Sequence, residues 1–214
     1  MSLLLDTLPA WLPLALGLGQ EVDPEPMRPP DPIVACEQRL KNSGVTFSKA
    51  RIPLHESPGG GFTCGAPQVV RYESGPGKIR YSSSAKMSCP LALAMASWEL
   101  ILQEEAQAHL GSRVKRITHV GTYNCREMVY YDGWISEHSY ANGIDIKSFT
   151  LADGREITIR SDYQADTPEG QFLRAMAKRA YDEVFNVVVT PNTPDGLHKF
   201  HLHFDMAHYT FDGT

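Results

Sequence analysis

The 214-residue chain has no lysine or arginine before Arg28, no Cys-x-x-Cys pair, no Gly-x-Ser-x-Gly elbow and no internal repeat. Each absence removes a class of protein. An apolar start with no early positive charge lacks part of a standard secretory signal. Without closely spaced cysteines, a thiolate zinc site or a thioredoxin-like pair is disfavoured. Without the elbow, the approach of Ser136 to His138 in sequence is a weak case for a serine nucleophile. Basic residues are also outnumbered, 20 to 25, for a net charge of −5, and no Lys/Arg stripe is visible. A wrapped nucleic-acid partner is therefore not expected. With 42% hydrophobic and 21% charged residues the composition is that of an ordinary globular protein, which excludes collagen-like and wholly disordered chains. The length is one domain's worth.

The first twenty residues form an apolar leader, a remnant of an export signal or anchor or else a peripheral arm of a cytosolic protein. Asp6, Pro9 and Pro13 interrupt it, and its run of roughly 17 residues falls short of the roughly 20 that a spanning helix needs. Residues 21–32 follow with Pro24, Pro26, Pro29, Pro30 and Pro32, which reads as a stiff extended linker. A folded domain is expected over 33–214, in the periplasm or cell envelope, with membrane attachment through the leader as one option. Cys36, Cys64, Cys89 and Cys125 are even in number and scattered. They fit two disulfides in an oxidising compartment with three possible connectivities, against four buried free thiols in a cytosolic protein.

Within the domain, residues 33–42 predict a short helix stopped near Gly44, and 57–67, with Gly59, Gly60 and Gly61 between two prolines, a loop. The strongest helix spans about Pro90 to His109, with Ser88 as its cap and Leu91, Ala94, Trp98, Ile101 and Leu102 on its apolar face. After Gly111 the period changes. Strands are expected around Val114, Ile117 and Val120, over Ile144–Leu151 and Arg155–Arg160 joined at Asp153-Gly154, and at Val187–Val189. A second helix runs from Thr167-Pro168 to about Phe185. Helices flanking a mostly antiparallel sheet make an α+β domain.

Histidine distribution carries the chemistry. His138 precedes Asp145 by seven residues, and His198, His201 and His203 crowd into six, with Asp205 beside them. On a strand, His201 and His203 point to the same face. Two imidazoles and a carboxylate from separate segments suit a three-ligand metal site with an open position. A solvated histidine-rich tract is the alternative. Cys125 as a nucleophile is weaker still, since scattered even cysteines favour pairing. Exposed Trp11 and Trp134 could serve a partner, although single aromatics more often pack.

The stretches SEHSYANGIDI and LHKFHLHFDMA, with KIRYSSSAKMSCPLALAMASW, THVGTYNCRE and FLRAMAKRAYDEVF, resemble the bacterial extensin-like C-terminal domain over roughly 33–208. That family is similar in turn to the zinc peptidases of the LAS group, with D-Ala-D-Ala carboxypeptidase and hedgehog-like members sharing His-x6-Asp and a distal His-x-His. The resemblance implies that fold, Zn2+ on His138, Asp145 and His203, and catalytic roles for His201 and His198. Arg126 would neutralise a substrate carboxylate or oxyanion, and Ser136 would shape the loop or bind substrate. The implied activity is a zinc-dependent amidase or peptidase on peptidoglycan stem peptides. A non-catalytic wall-binding or scaffold module that keeps the zinc cradle is the alternative, and a cytosolic domain with a surface histidine cluster is a third reading. The chain departs from the family at Tyr181 and at its C-terminus, where members usually carry cysteines. It also lacks the glutamate base of the carboxypeptidase branch, with Glu137 expected to point away.

Overall fold

The computed structural model describes residues 32–214; the apolar leader and all but the last residue of the proline-rich linker lie outside the described residues. Helix α1 (Pro32–Asn42) is followed by a hairpin of β1 (Thr46–Glu56) and β2 (Thr63–Ser74), then short β3 (Arg80–Tyr81) and β4 (Ala85–Met87). The central helix α2 (Cys89–Leu110) leads to β5 (Val114–Gly121) and a small hairpin of β6 (Glu127–Met128) and β7 (Tyr131–Ile135). A 3-10 turn, Glu137–Tyr140, opens onto β8 (Gly143–Leu151), β9 (Glu156–Thr158) and the single-turn α3 (Ile159–Asp162). The chain then forms α4 (Pro168–Glu183), β10 (Val187–Val189), β11 (Leu202–Asp205) and β12 (Phe211–Gly213).

The central sheet has the order β12-β10-β11-β8-β5-β3, with β9 also paired to β8; β3–β5 and β10–β12 are parallel and the other pairs antiparallel. A second antiparallel sheet is β1-β2-β4. The fold is therefore α+β, as the sequence pattern predicts. Both long helices start as expected: Ser88 Oγ accepts from Leu91 N–H (3.2 Å) and Thr167 Oγ1 from Gly170 N–H (3.3 Å), each with proline in the first turn. Helix α2 is buried on more than the face its periodicity marks, because Ala92, Met95 and Ala96 are enclosed along with Leu91, Trp98 and Leu102. Trp98 fixes it to the sheet, with its ring 5.3 Å from Phe204 on β11 and 6.2 Å from Phe149 on β8.

Three local expectations are corrected. Residues 63–67 are not loop but the start of β2, paired to β1 from Thr63↔Glu56 onward. Strand β1 escapes pattern reading because nearly all of it is exposed and it contains Pro53, both traits of an edge strand. Val120 is exposed and His119 buried in its place, since register shifts beside His119 reverse the alternation. The strand expected over 155–160 stops at Thr158, whose hydroxyl accepts from Ser161 N–H and caps α3.

The four cysteines pair as Cys36–Cys89, tying α1 to the first residue of α2, and Cys64–Cys125, tying β2 to the segment before β6. No described helix is long and apolar enough to cross a membrane. Two disulfides and no free cysteine among the described residues mark a protein of an oxidising, extracytoplasmic compartment.

Glu99 is fully buried in α2, accepting from Tyr72 Oη (3.0 Å), Tyr81 Oη (2.9 Å) and Gly77 N–H (3.0 Å). Burial pushes its carboxyl up to about 7 against the opposing pull of these donors. Between the pKa of about 4.3 in an unfolded chain and about 7, the native state binds more protons, so stability from this group falls as pH rises and levels off above 7. Thermal unfolding of Glu99→Gln should lose that slope, narrowing the difference in stability between pH 5 and 7.5 relative to wild type; an unchanged slope would reject the assignment. Cys36→Ser with Cys89→Ser, which opens a loop with a sequence separation of 53, should cost about 4 kcal/mol in the chain-entropy picture, read by urea unfolding.

Candidate metal centre

Antiparallel pairing of β8 with β11 places Asp145 directly opposite His203, with Ile144 opposite Phe204 one residue along. Alternation then separates two functions. Leu202, Phe204, Ile144 and Ile146 enter the main core, while Asp145 and His203 meet one another elsewhere. His138 arrives from the 3-10 turn. Ser136 caps that turn, accepting from His138 N–H (3.4 Å), and Ala141 closes it in the left-handed region at φ 54°.

The donors converge. His138 Nε2 lies 3.2 Å and His203 Nδ1 2.9 Å from the same Asp145 oxygen, and the two nitrogens are 3.1 Å apart. Two imidazole nitrogens and a carboxylate oxygen, within reach of one another on half-buried or buried side chains, form a group that could hold a metal ion. Burial alone would raise the Asp145 pKa, but hydrogen bonds and charge from His138 and His203 hold it far below the usual carboxylate range. Burial would likewise lower His203, yet Asp145 and Asp205 outweigh it and push it up to about 9. A metal at His203 Nδ1 must replace a proton, so binding weakens as pH falls.

Surrounding residues fix these orientations. Asp205, two residues beyond His203 on β11, takes its Nε2–H at 2.8 Å and also accepts from Ala207 N–H at 2.9 Å. A carboxylate on the far nitrogen sets ring orientation and ligand basicity. Asn142 donates to Glu137 (2.6 Å) and to the Met206 carbonyl (3.0 Å) and accepts from Ser88 Oγ (2.5 Å), joining the 3-10 turn, the end of β11 and the cap of α2. Gly143 is opposite Asp205, where a Cβ would come within 3.1 Å of the His203 ring and 3.3 Å of Asp205. Asn142 does not show in sequence spacing, because its bonds to Ser88 and Met206 are made only in the folded chain, whereas Asp205 lies two residues from His203 on the same face of β11.

The remaining histidines gather at the same place. His201 Nε2 lies 3.8 Å from the shared Asp145 oxygen. His198 sits 4.8 Å from the His201 ring and 5.9 Å from that of His203, and its Nδ1 is bonded to the Asp195 carboxylate. Burial lowers both pKa values, more than Asp145 raises His201 and Asp195 raises His198. Ser136 is buried in the turn. Arg126 is tied to the His138 turn by its backbone, whose N–H donates to Ser139 Oγ (3.0 Å), while its guanidinium donates to the Glu127 carbonyl (3.1 Å) and to no other group among the described residues. Glu137 is engaged with Asn142 rather than with the donors.

Asp205→Asn should weaken divalent metal binding by about 10–100-fold without unfolding the domain, measured by competition with a chromophoric chelator. Apparent affinity of wild type should rise from pH 6.5 to 9. Equal affinity in the variant would remove Asp205 from the centre.

No curated protein and no solved structure matches the chain. One family model does, that of the extensin-like protein C-terminus, over residues 34–213, a span that takes in both disulfides, every donor and the residues that orient them. By that match the chain belongs to the extensin-like C-terminus family.

Proposed function

We propose that this chain is a zinc-dependent amidase or peptidase acting on peptidoglycan stem peptides in the periplasm, with a carboxypeptidase/hedgehog-like fold. The observation that carries the reading is the convergence of His138 Nε2, Asp145 Oδ1 and His203 Nδ1, with two further imidazoles beside them. Zinc suits this donor set, since two nitrogens and one oxygen leave a fourth position open, as catalytic zinc sites do. When bound, zinc supplies a polarised carbonyl and a water whose pKa is lowered toward about 7.

The chain's own residues supply the rest. Burial lowers the His201 pKa, which favours the neutral imidazole, and its Nε2 lies 3.8 Å from the shared Asp145 oxygen, so it accepts the proton of the attacking water and returns it to the leaving amine. His198, held by Asp195, is the second candidate for that transfer. Arg126 holds the anionic end of the substrate once its guanidinium leaves the Glu127 carbonyl.

One observation favours the second reading, a wall-binding module. Trp134 and Tyr131 are exposed, and Trp134 lies 6.4 Å from Tyr131 and 5.9 Å from Tyr209, an aromatic surface just ahead of the His138 turn. Aromatic surfaces of this kind serve binding without turnover.

Elemental analysis of purified wild type and His203→Ala separates these claims from a surface cluster. About one zinc per chain in wild type and none in the variant is expected; zinc retained in the variant would reject the ligand set. Muropeptide release should then fall by about 10²–10⁴ in His201→Ala, with zinc kept. Sacculus binding with zinc present and no product would select the module.

A further inference from the structure

A cleft of about 430 Å³ opens at the β3 edge of the central sheet, lined by Lys78, Arg80, Lys115 and Arg116. The sequence brings no such patch into view, since the four belong to segments more than thirty residues apart. Parallel pairing of β3 with β5 places Arg80 opposite Arg116. All four are exposed, and none forms an ion pair among the described residues, although acidic residues outnumber basic ones in the chain. Like charges directly across paired strands repel, and this arrangement keeps them adjacent.

Both walls of the cleft are held by buried polar groups that the metal centre does not use. Gln103, on α2, donates to the Gly77 carbonyl (2.9 Å) and to the Val114 carbonyl (2.7 Å) and accepts from Val114 N–H (2.9 Å). One buried amide thus ties the turn before Lys78 to the start of β5. Glu99 takes the Gly77 N–H, and a Cβ at Gly77 would come within 2.8 Å of the Glu99 side chain, so the turn and α2 are in direct contact. Lys78 itself sits at φ 59°, a conformation costly for a non-glycine residue and kept where surroundings enforce it. The charges are therefore presented by a rigid frame and not by a loose loop.

We propose that this cleft is a binding site for a compact, multiply charged phosphate anion. Four formal positive charges call for a ligand with at least two negative ones. The two arginine forks match phosphate oxygens, and the lysines add point charges. A lipid headgroup or a soluble diphosphate offers the same chemistry. The site is separate from the metal centre and does not rest on the hydrolase reading.

Calorimetric titration of the full chain with inorganic pyrophosphate, at about 0.1 M salt, tests it. Saturable one-site binding is expected, weakened at least about tenfold in Arg80→Ala and in Arg116→Ala. Both side chains are exposed, so neither change removes a core contact. Binding should persist in His203→Ala, because pyrophosphate also chelates metals. Absent binding, equal binding in the arginine variants, or loss in His203→Ala alone would overturn the proposal. Sedimentation with vesicles containing cardiolipin, whose headgroup carries two phosphates, names the source. Binding that pyrophosphate displaces assigns a lipid phosphate, and pyrophosphate binding without vesicle binding assigns a soluble one.

Discussion

The register between β8 and β11 is the constraint on which the rest of this structure depends. With Asp145 opposite His203, the shared carboxylate oxygen and the ring nitrogen are 2.9 Å apart, and His138 needs only a short turn to join them. A slip of one residue would turn Asp145 and His203 into the core and bring Ile144, Ile146, Leu202 and Phe204 out of it. The packing of Trp98 edge-on to Phe204 and tilted against Phe149 opposes that slip with apolar area. Core packing and site geometry are thus one requirement seen from two faces of a pair of strands.

Around that register, polar groups act as ties where apolar contacts have no directional preference. Asn142 binds three segments at the metal centre, and Gln103 binds two walls at the β3 edge of the sheet. Both are amides, which donate and accept at once and so can bridge backbone groups of either kind. The disulfides do related work at longer range, fixing α1 to α2 and the β1–β2 hairpin to the segment that carries Arg126. Arg126 and His138 are then coupled through Ser139, whose hydroxyl bonds both the N–H and the carbonyl of Arg126.

The histidines differ in protonation because they differ in partners. His203 has a carboxylate at each nitrogen and is pushed up, while His201 has only a distant one and is lowered by burial. His119, buried on β5 with Nε2 near Ser83 Oγ (3.2 Å), is lowered for the same reason as His201. Spacing in the sequence ranks none of these, since each depends on which acid the fold brings near.

Local chemistry alone determined the long helices, their caps and proline starts, the apolar strands at Val187 and Ile144, and the crowding of histidines near the C-terminus; His138, Asp145 and His203 were singled out as a set by the family resemblance, and only strand pairing brings them together. The local features are written in short-range periodicity and in residue type, where 3.6- and 2-residue spacings and side-chain donor sets are direct consequences of covalent geometry. The tertiary structure alone decided the β1–β2 hairpin, which is exposed and carries Pro53, the partners of the four cysteines, and the tying of Asn142 to Ser88 and Met206. It also decided the company of Lys78 and Arg80 with Lys115 and Arg116. Apart from the hairpin, whose strands are neighbours in sequence but lack a buried alternation, each of these is a contact between distant segments, and no local pattern encodes it.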